Sequence, residues 1–182
     1  MNSAPDPIED ALLILRVQDG DHRAWREIVE RWQPLIYAQA RRMTGHPEGA
    51  SDVAQESWLA MVRSIDGLDD PSRFRPWAYR IVANKASDWI RKRQRDRQVI
   101  FGQTDPPDVA DAAGSQESQK LRPLRRAIRQ LPQEHRGLLS MFYIDQMPLT
   151  EIAEVLGIPL GTVKSRLYSI RQELKETIER LE

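Results

Sequence analysis

The 182-residue chain contains no cysteine. Disulfide bonds, thiolate metal sites and a thiol redox switch are therefore excluded within this sequence, which suits a reducing cytoplasm. Long apolar runs are also lacking, since none approaches the roughly 20 residues that a membrane-spanning helix needs. The opening stretch MNSAPDPIED is acidic and has no apolar targeting segment. These absences predict a cytoplasmic protein that does not insert into a membrane.

Residue patterns that support catalysis are scarce. The three histidines, His22, His46 and His135, do not have the spacing of metal ligands, and no glycine-rich loop suited to phosphate binding is present. We therefore predict that the protein is not an enzyme and has no catalytic residues, no metal site and no cofactor.

Net charge is absent as well, because 27 basic residues balance 27 acidic ones. An even distribution would argue against binding to nucleic acid. The distribution is uneven: residues 71–97 carry nine Lys and Arg against two acids, for a net charge of +7, whereas residues 1–70 carry −6. The stretch 98–118 has −4, and 119–182 has +3. The strongly basic block in the middle of the chain predicts contact with phosphates.

Helical periodicity is present throughout, and no segment alternates apolar and polar residues with period two. The fold class is therefore predicted to be all-α. Asp6 can cap a helix from Pro7 to Val17, and Asp21 can cap a longer second helix. We expect Ser51 to cap a third helix that ends near Ile65, and a fourth helix to run from Phe74 to Arg95.

Each of these helices has an apolar side that we expect to face the core. Whether Phe74 and Tyr79 belong to the core is left open by the pattern. The apolar positions are Trp25, Ile28, Val29, Trp32, Ile36, Ala40 and Met43 in the second helix, Ala54, Trp58, Met61, Val62 and Ile65 in the third, and Trp77, Ile81, Val82, Ala86 and Trp89 in the fourth.

The stretch 149–171, LTEIAEVLGIPLGTVKSRLYSIR, has the pattern of a helix-turn-helix. Ala153 is small enough for two helices to cross closely, and Gly157 can adopt the positive φ of a tight turn. Pro159 stops the first helix, so the second should begin near Gly161 or Thr162. The buried stripe of that second helix is predicted to be Val163, Leu167, Ile170, Leu174, Ile178 and Leu181.

The remaining side of this helix is basic and rich in hydroxyl groups. Such side chains suit a DNA major groove, where Lys and Arg reach guanine edges or phosphates. The alternative is an ordinary helical hairpin with a solvated face. The candidate DNA-binding residues are Thr162, Lys164, Ser165, Arg166 and Arg171.

The composition divides the chain into two small helical domains, 1–97 and 120–182. Residues 98–119 are polar and acidic and contain Pro106, Pro107 and Gly114, as expected of a flexible linker. Two further helices are predicted after this linker. Leu121, Leu124, Ile128 and Leu131 mark the first, and the second spans 138–144.

Two motifs carry a resemblance to a known family. GTVKSRLYSIRQEL resembles the promoter-binding region four of bacterial sigma factors, especially the extracytoplasmic-function (ECF) group, and DVAQESWL resembles the region-two helix that grips the clamp helices of RNA polymerase. Asp52, Gln55 and Glu56 match the second motif position by position, with Leu59 on the same face. The resemblance implies that these four residues bind core polymerase, whereas on charge alone they are an ordinary solvated acidic face.

The basic fourth helix resembles the region that recognises and opens the promoter -10 element. In that family a loop and an Asn capture an unstacked base, and the matching positions are residues 67–74 and Asn84. The exposed aromatic cluster of housekeeping sigma factors is not evident in this sequence, which favours stringent use of a few promoters. The implied -10 DNA-binding residues are Arg73, Phe74, Arg80, Asn84, Lys85 and Arg91.

Together the two resemblances imply a transcription initiation factor that directs core RNA polymerase to promoters through their -35 and -10 elements. The implied partners are core RNA polymerase, promoter DNA and an anti-sigma factor. Two other classes fit parts of the sequence: a free-standing repressor or activator that uses the helix-turn-helix alone, and an adaptor that binds proteins through both helical units. Neither alternative requires two DNA-contacting domains on one chain.

Overall fold

The computed structural model describes residues 6–99 and 122–180, and every regular element in these two ranges is helical. The described residues fall into two compact units. The first contains α1 (Pro7–Gln18), α2 (His22–Thr44), α3 (Pro47–Ser64) and α4 (Phe74–Val99), with short 3-10 turns at Ile65–Gly67 and Pro71–Arg73 between α3 and α4. The all-α prediction is confirmed, and no helix of the described ranges is long and apolar enough to cross a membrane.

The first two helices begin where their capping residues predicted. The Asp6 carboxylate accepts hydrogen bonds from the backbone N–H groups of Ile8 (2.8 Å) and Glu9 (3.3 Å). Asp21 does the same for Arg23 (2.8 Å) and Ala24 (3.3 Å). Each carboxylate thereby satisfies donors that the first turn of a helix leaves unpaired.

The prediction that Ser51 caps α3 is wrong. This helix begins at Pro47, with His46 at the cap position, and Ser51 lies inside it. Proline has no N–H to lose and its φ is already helical, so it suits the first helical position. The helix therefore starts one turn before the expected residue and contains Glu48 and Gly49.

The core of the first unit is built around Trp32 of α2, which is almost fully buried. The Trp32 ring packs edge to face against two rings of α4, Phe74 (5.1 Å between centroids) and Tyr79 (6.4 Å). Phe74 has only 1% of its surface exposed, so the prediction that it contacts DNA is wrong for this structure. The sequence left Phe74 and Tyr79 undecided, and both are core residues.

A buried polar contact fixes α1 against α2. The Asp10 carboxylate, itself only 3% exposed, accepts hydrogen bonds from Arg31 (2.9 Å) and from the indole N–H of Trp32 (3.1 Å). Burial raises the pKa of Asp10, and the hydrogen bond from Arg31 opposes that rise. Because Trp32 is also the centre of the core, this contact ties α1 to the same packing that holds α4.

The second unit contains α5 (Arg122–Gln130), α6 (Gln133–Leu139), a π-helical segment (Ser140–Ile144), α7 (Leu149–Leu156) and α8 (Leu160–Glu179). α6 starts five residues before the predicted helix at 138, and α8 starts at Leu160, just before the predicted Gly161 or Thr162. Of the predicted apolar positions, Leu121 and Leu181 lie outside the described residues.

The turn between α7 and α8 forms as its residues predicted. Gly157 is in the left-handed conformation, with φ 64° and ψ 32°, where a side chain would be strained. The N–H of Ile158 donates to the carbonyl of Ala153 (3.1 Å) and closes the end of α7. Val163, Leu167 and Ile170 are buried on the inner side of α8.

Most of the predicted linker at 98–119 lies outside the described residues. Its first two residues, Gln98 and Val99, belong to α4, so the fourth helix continues beyond both the expected end at Arg95 and the predicted domain boundary at 97.

Candidate nucleic-acid and protein interfaces

The outer side of α3 presents the four residues predicted to bind a protein partner. Asp52, Gln55, Glu56 and Leu59 are all exposed, and half of the Leu59 surface is accessible. Their spacing of three and four residues places them along one side of the helix. An accessible leucine beside two carboxylates is suited to a partner that offers both apolar and basic side chains.

An open cleft of about 540 Å³ lies between α2 and α3 beside this face. The sequence assigned Trp25, Val29, Trp58 and Val62 to the core, but that prediction is wrong: they line the cleft, and 52% of Val62 is exposed. Helical spacing correctly indicated an apolar side, but it gave no information on whether another element covers that side. The rings of Trp25 and Trp58 meet edge to face at 6.1 Å, and the Trp58 indole donates to Gln33, so the lining is fixed.

An ion pair joins the acidic face to the basic helix. The Lys85 ammonium of α4 lies 3.3 Å from the Glu56 carboxylate of α3, and both side chains are accessible to solvent. The contact brings together one residue predicted to bind polymerase and one predicted to bind DNA. Exposed pairs of this kind are worth about 0.2–1 kcal/mol, so either partner can be drawn away by a ligand.

Arg80, Asn84 and Arg91 form a polar face on α4. They follow one another at intervals of four and seven residues, and all three are exposed. Within the described part of the chain, Arg80 and Asn84 make no hydrogen bond or ion pair, whereas Arg91 pairs with Asp88 at 2.5 Å. The Asn84 amide therefore has both its donor and its acceptor available to a ligand.

The segment before α4 is a short, ordered connection and not an open coil. Leu68 is buried, and Arg73 is exposed at the end of the second 3-10 turn. The Asp70 carboxylate accepts hydrogen bonds from both the hydroxyl (2.6 Å) and the backbone N–H (3.0 Å) of Ser72. These bonds hold the pKa of Asp70 below its ordinary value. The segment thus keeps a defined shape next to the basic helix.

On α8 the predicted recognition residues surround the outer side of the helix. Lys164, Ser165 and Arg166 are exposed, and Thr162 is partly buried. The Ser165 hydroxyl donates to the Thr162 carbonyl at 3.0 Å, so it is partly engaged within the helix. Positions 164 and 166 are about 200° apart around the axis, because each residue turns the helix by about 100°. These two cations therefore point to different sides.

Arg171 is held by aromatic rings and is not simply solvated. Its guanidinium lies 5.9 Å from the ring centroids of both Phe142 and Tyr143, which belong to the π-helical segment. Sequence reasoning missed Tyr168, which is 63% exposed and lies on the same side of α8 as Lys164 and Arg171. Tyr168 comes four residues after Lys164 and three before Arg171, and this spacing could have predicted that it shares their side of the helix.

The matched families follow the same two units. Residues 28–96 match sigma-70 region 2, and residues 121–174 match sigma-70 region 4. Over 181 residues the chain is 33% identical to the ECF RNA polymerase sigma factor SigW of Bacillus subtilis, and the alignment covers 92% of this chain and 96% of SigW. The chain belongs to the ECF sigma factor family. It is accordingly an RNA polymerase sigma factor, a factor of transcription initiation.

Other similar proteins align with most of this sigma factor. It is 28% identical to the ECF RNA polymerase sigma-E factor of Salmonella typhimurium, with 97% of each chain covered. The structure of CnrH in complex with the cytosolic domain of CnrY is similar, with a TM-score of 0.66, 26% identity and coverage of 96% of this chain and 99% of that one. The sigma factor RpoE of Bartonella quintana, solved with the anti-sigma factor NepR, shares the fold at a TM-score of 0.68 and 20% identity, over 85% of this chain and 96% of that one.

Proposed function

We propose that this sigma factor binds core RNA polymerase through α3 and directs it to promoters through α4 and α8. The observation that carries the proposal is the pairing of surfaces in the first unit. An acidic, partly apolar face with its cleft lies beside α4, and eight of the nine basic residues between 71 and 97 belong to that helix. A partner protein suits the first surface, and phosphates suit the second.

In this proposal Asp52, Gln55, Glu56 and Leu59 bind polymerase. Of the -10 candidates, Arg73, Arg80, Lys85 and Arg91 hold phosphates, while Asn84 and the segment 67–73 capture an unstacked base. Removing a base from the stack costs a few kcal/mol, and new contacts to the extruded base must offset that cost. The hydrogen-bonding groups of Asn84 supply such contacts because no other residue of the described ranges engages them.

In the second unit Lys164 and Arg166 contact the -35 element, one at a base edge and the other at a phosphate, and Thr162, Ser165 and Arg171 contact the same element. We further propose that the protein has no catalytic activity of its own, acts inside the cell, and is regulated by an anti-sigma protein. The similar protein CnrH has been solved with the cytosolic domain of another protein, which supports a protein regulator of this kind.

The test is transcription from a library of genomic promoters by core polymerase with and without this protein. We expect a small set of promoters to become dependent on it, with no initiation by the protein or the core enzyme alone. Protection of an operator by the protein alone, without any promoter that depends on it, would instead identify a repressor.

A further inference from the structure

A single side chain of α1 holds the start of the segment that precedes α4. Gln18, the last residue of α1, donates from its side-chain nitrogen to the backbone carbonyls of Ile65 and Leu68, at 2.9 Å in each case. Ile65 is the first residue of the first 3-10 turn, and Leu68 is the residue that follows its end. The hydrogen bonds therefore join residues 47 and 50 positions apart in the chain.

The chemistry of this contact uses the whole donor capacity of the amide. A glutamine side chain has two N–H donors, one for each carbonyl. The Ile65 carbonyl also accepts the backbone N–H of Leu68 (3.0 Å), so the Gln18 amide uses its second lone pair. The Leu68 carbonyl belongs to the residue that ends the turn, where acceptors lack intrahelical donors. Leu68 is buried and in an extended conformation, so its carbonyl position is well defined. α1 also packs against the second 3-10 turn at Pro71–Arg73. Both ends of the segment 68–73 thus rest on α1.

α1 lies before residue 28, where the match to sigma-70 region 2 begins. We propose that Gln18 is a positioning residue for the segment 68–73 and thereby sets the discrimination among bases at the captured position of the -10 element. This inference rests on the proposed function, because it assumes that the segment and Asn84 receive an unstacked base.

The physical reason is that discrimination depends on where hydrogen-bonding groups are fixed. A polar site rejects a wrong base when its donors and acceptors stay unpaired, and this requires that the backbone does not shift to accommodate the wrong base. Without Gln18 the Leu68 carbonyl loses its bond to α1, while the Ile65 carbonyl keeps only its local bond from the Leu68 N–H, so the segment gains freedom to adjust. Selectivity should then fall more than the overall capacity to open DNA.

The experiment uses holoenzyme assembled from core polymerase and the full chain, on four duplex promoters that differ only at one -10 position. That position is the one where the wild-type protein discriminates most. Three variants remove the donors: Gln18→Met keeps the length of the side chain, Gln18→Glu keeps its shape, and Gln18→Ala removes it. The quantity measured is the ratio of open-complex rates on the best and worst promoters.

A wrong base pair usually lowers the affinity of a specific complex about 5- to 150-fold. We expect each Gln18 variant to reduce the ratio of open-complex rates on the best and worst promoters by about tenfold relative to wild type. The control is Leu13→Ala, which opens a cavity in the buried side of α1 and leaves the Gln18 amide in place. It should lower the amount of active protein and the melting temperature, but it should leave the ratio unchanged, because a ratio does not depend on the active fraction.

Three results would overturn the inference: an unchanged ratio in the Gln18 variants, a wild-type ratio retained by Gln18→Met alone, or an equal loss in Leu13→Ala. Failure of the proposed function gives a different result. In that case the wild-type holoenzyme itself shows no discrimination at any -10 position, or Asn84→Ala opens every promoter at the wild-type rate.

Discussion

Gly49 of α3 lies directly against the Trp89 ring of α4. A methyl group built on Gly49 would lie 2.4 Å from Cζ2 of Trp89 and within 2.8 Å of two further ring atoms. Movement of the Trp89 ring would disturb its contacts with the Arg93 guanidinium, which lies 5.2 Å from the ring centroid, and with the His46 ring. We expect Gly49→Ala to destabilise the first unit by about 1–3 kcal/mol through overpacking, as measured by chemical unfolding.

Gly161→Ala is the matched control. This glycine lies in the first turn of α8, and no atom lies within 4 Å of the added methyl group. Alanine is more favourable than glycine in a helix by up to about 1 kcal/mol. The same substitution should therefore have opposite signs at the two positions. An unchanged unfolding midpoint for Gly49→Ala would show that Trp89 moves aside at little cost.

At the scale of single residues, the sequence predicted those features that depend on near neighbours in the chain. Asp6 and Asp21 cap their helices, and Gly157 adopts positive φ, because each effect depends on a few neighbouring residues. The burial of Phe74 against Trp32 depends on a partner about 40 positions away, which no local pattern encodes. The close contact at Gly49 and the hydrogen bonds of Gln18 are of this second kind.

At the scale of elements, periodicity predicted which side of each helix is apolar but not which apolar side remains open. α2 and α3 carry continuous apolar rows, and the helical pattern placed all of them in the core. The structure buries Ile28, Trp32 and Met61 and leaves Trp58 and Val62 at the cleft. α4 covers one side of the α2–α3 pair, and the sequences of α2 and α3 alone do not indicate which side is covered.

The recognition helix α8 yields a prediction about Lys164 and Arg166. Because they point to different sides of the helix, we expect one to read a base and the other to hold a phosphate. Replacing the base contact with Ala should cost about 1–3 kcal/mol at one -35 position, whereas losing the phosphate contact should weaken all sequences alike and reduce the salt slope by about one. Binding is measured with holoenzyme on promoter variants at several salt concentrations.

Gln172→Ala serves as the control for these two variants. It lies on the exposed side of the same helix, and within the described part of the chain its side chain makes no hydrogen bond. It should change neither the base preference nor the salt slope. If Lys164→Ala and Arg166→Ala also leave both quantities unchanged, α8 does not enter the groove.

The face of α3 gives a second prediction at this scale. Asp52→Lys reverses an exposed charge and should abolish binding to core polymerase, while the free energy of unfolding changes by less than about 0.5 kcal/mol. Asp52 is a cleaner probe than Glu56, because reversal of Glu56 would also remove the partner of Lys85. Binding is measured by competition with a labelled sigma factor.

Glu27→Lys is the corresponding control, since it reverses a charge on the side of α2 away from the cleft. Its ion pair with Arg16 is long, at 3.9 Å, and both side chains are about half exposed. Loss of this pair should therefore change the free energy of unfolding very little. Equal loss of polymerase binding in the two variants would show a general charge effect. Loss of folding in Asp52→Lys would place Asp52 in a structural role.

At the scale of the whole molecule, the two units divide the proposed work between docking on duplex DNA and opening it. The sequence predicted this division from charge and motif order, because each unit carries its own basic surface. It did not predict that α1, which precedes the first matched residue, supports the segment that leads into α4. That support is formed by tertiary hydrogen bonds, and these have no signature in the order of residues.

The division of work predicts the behaviour of Asn84→Ala. Asn84 is exposed and makes no hydrogen bond within the described residues, so its loss should leave stability and closed-complex binding through α8 nearly unchanged. Formation of the open complex on a duplex promoter should fall, because contacts that offset unstacking are lost. A template already unpaired at the -10 element should recover part of the rate, since unstacking no longer has to be offset. Permanganate reactivity of the -10 thymines measures opening, and gel-shift assays measure closed-complex binding.

Ser87→Ala, at an exposed position one turn further along α4, is the control and should open duplex DNA at the wild-type rate. Normal opening by Asn84→Ala, or an equal loss of closed binding, would remove Asn84 from base capture.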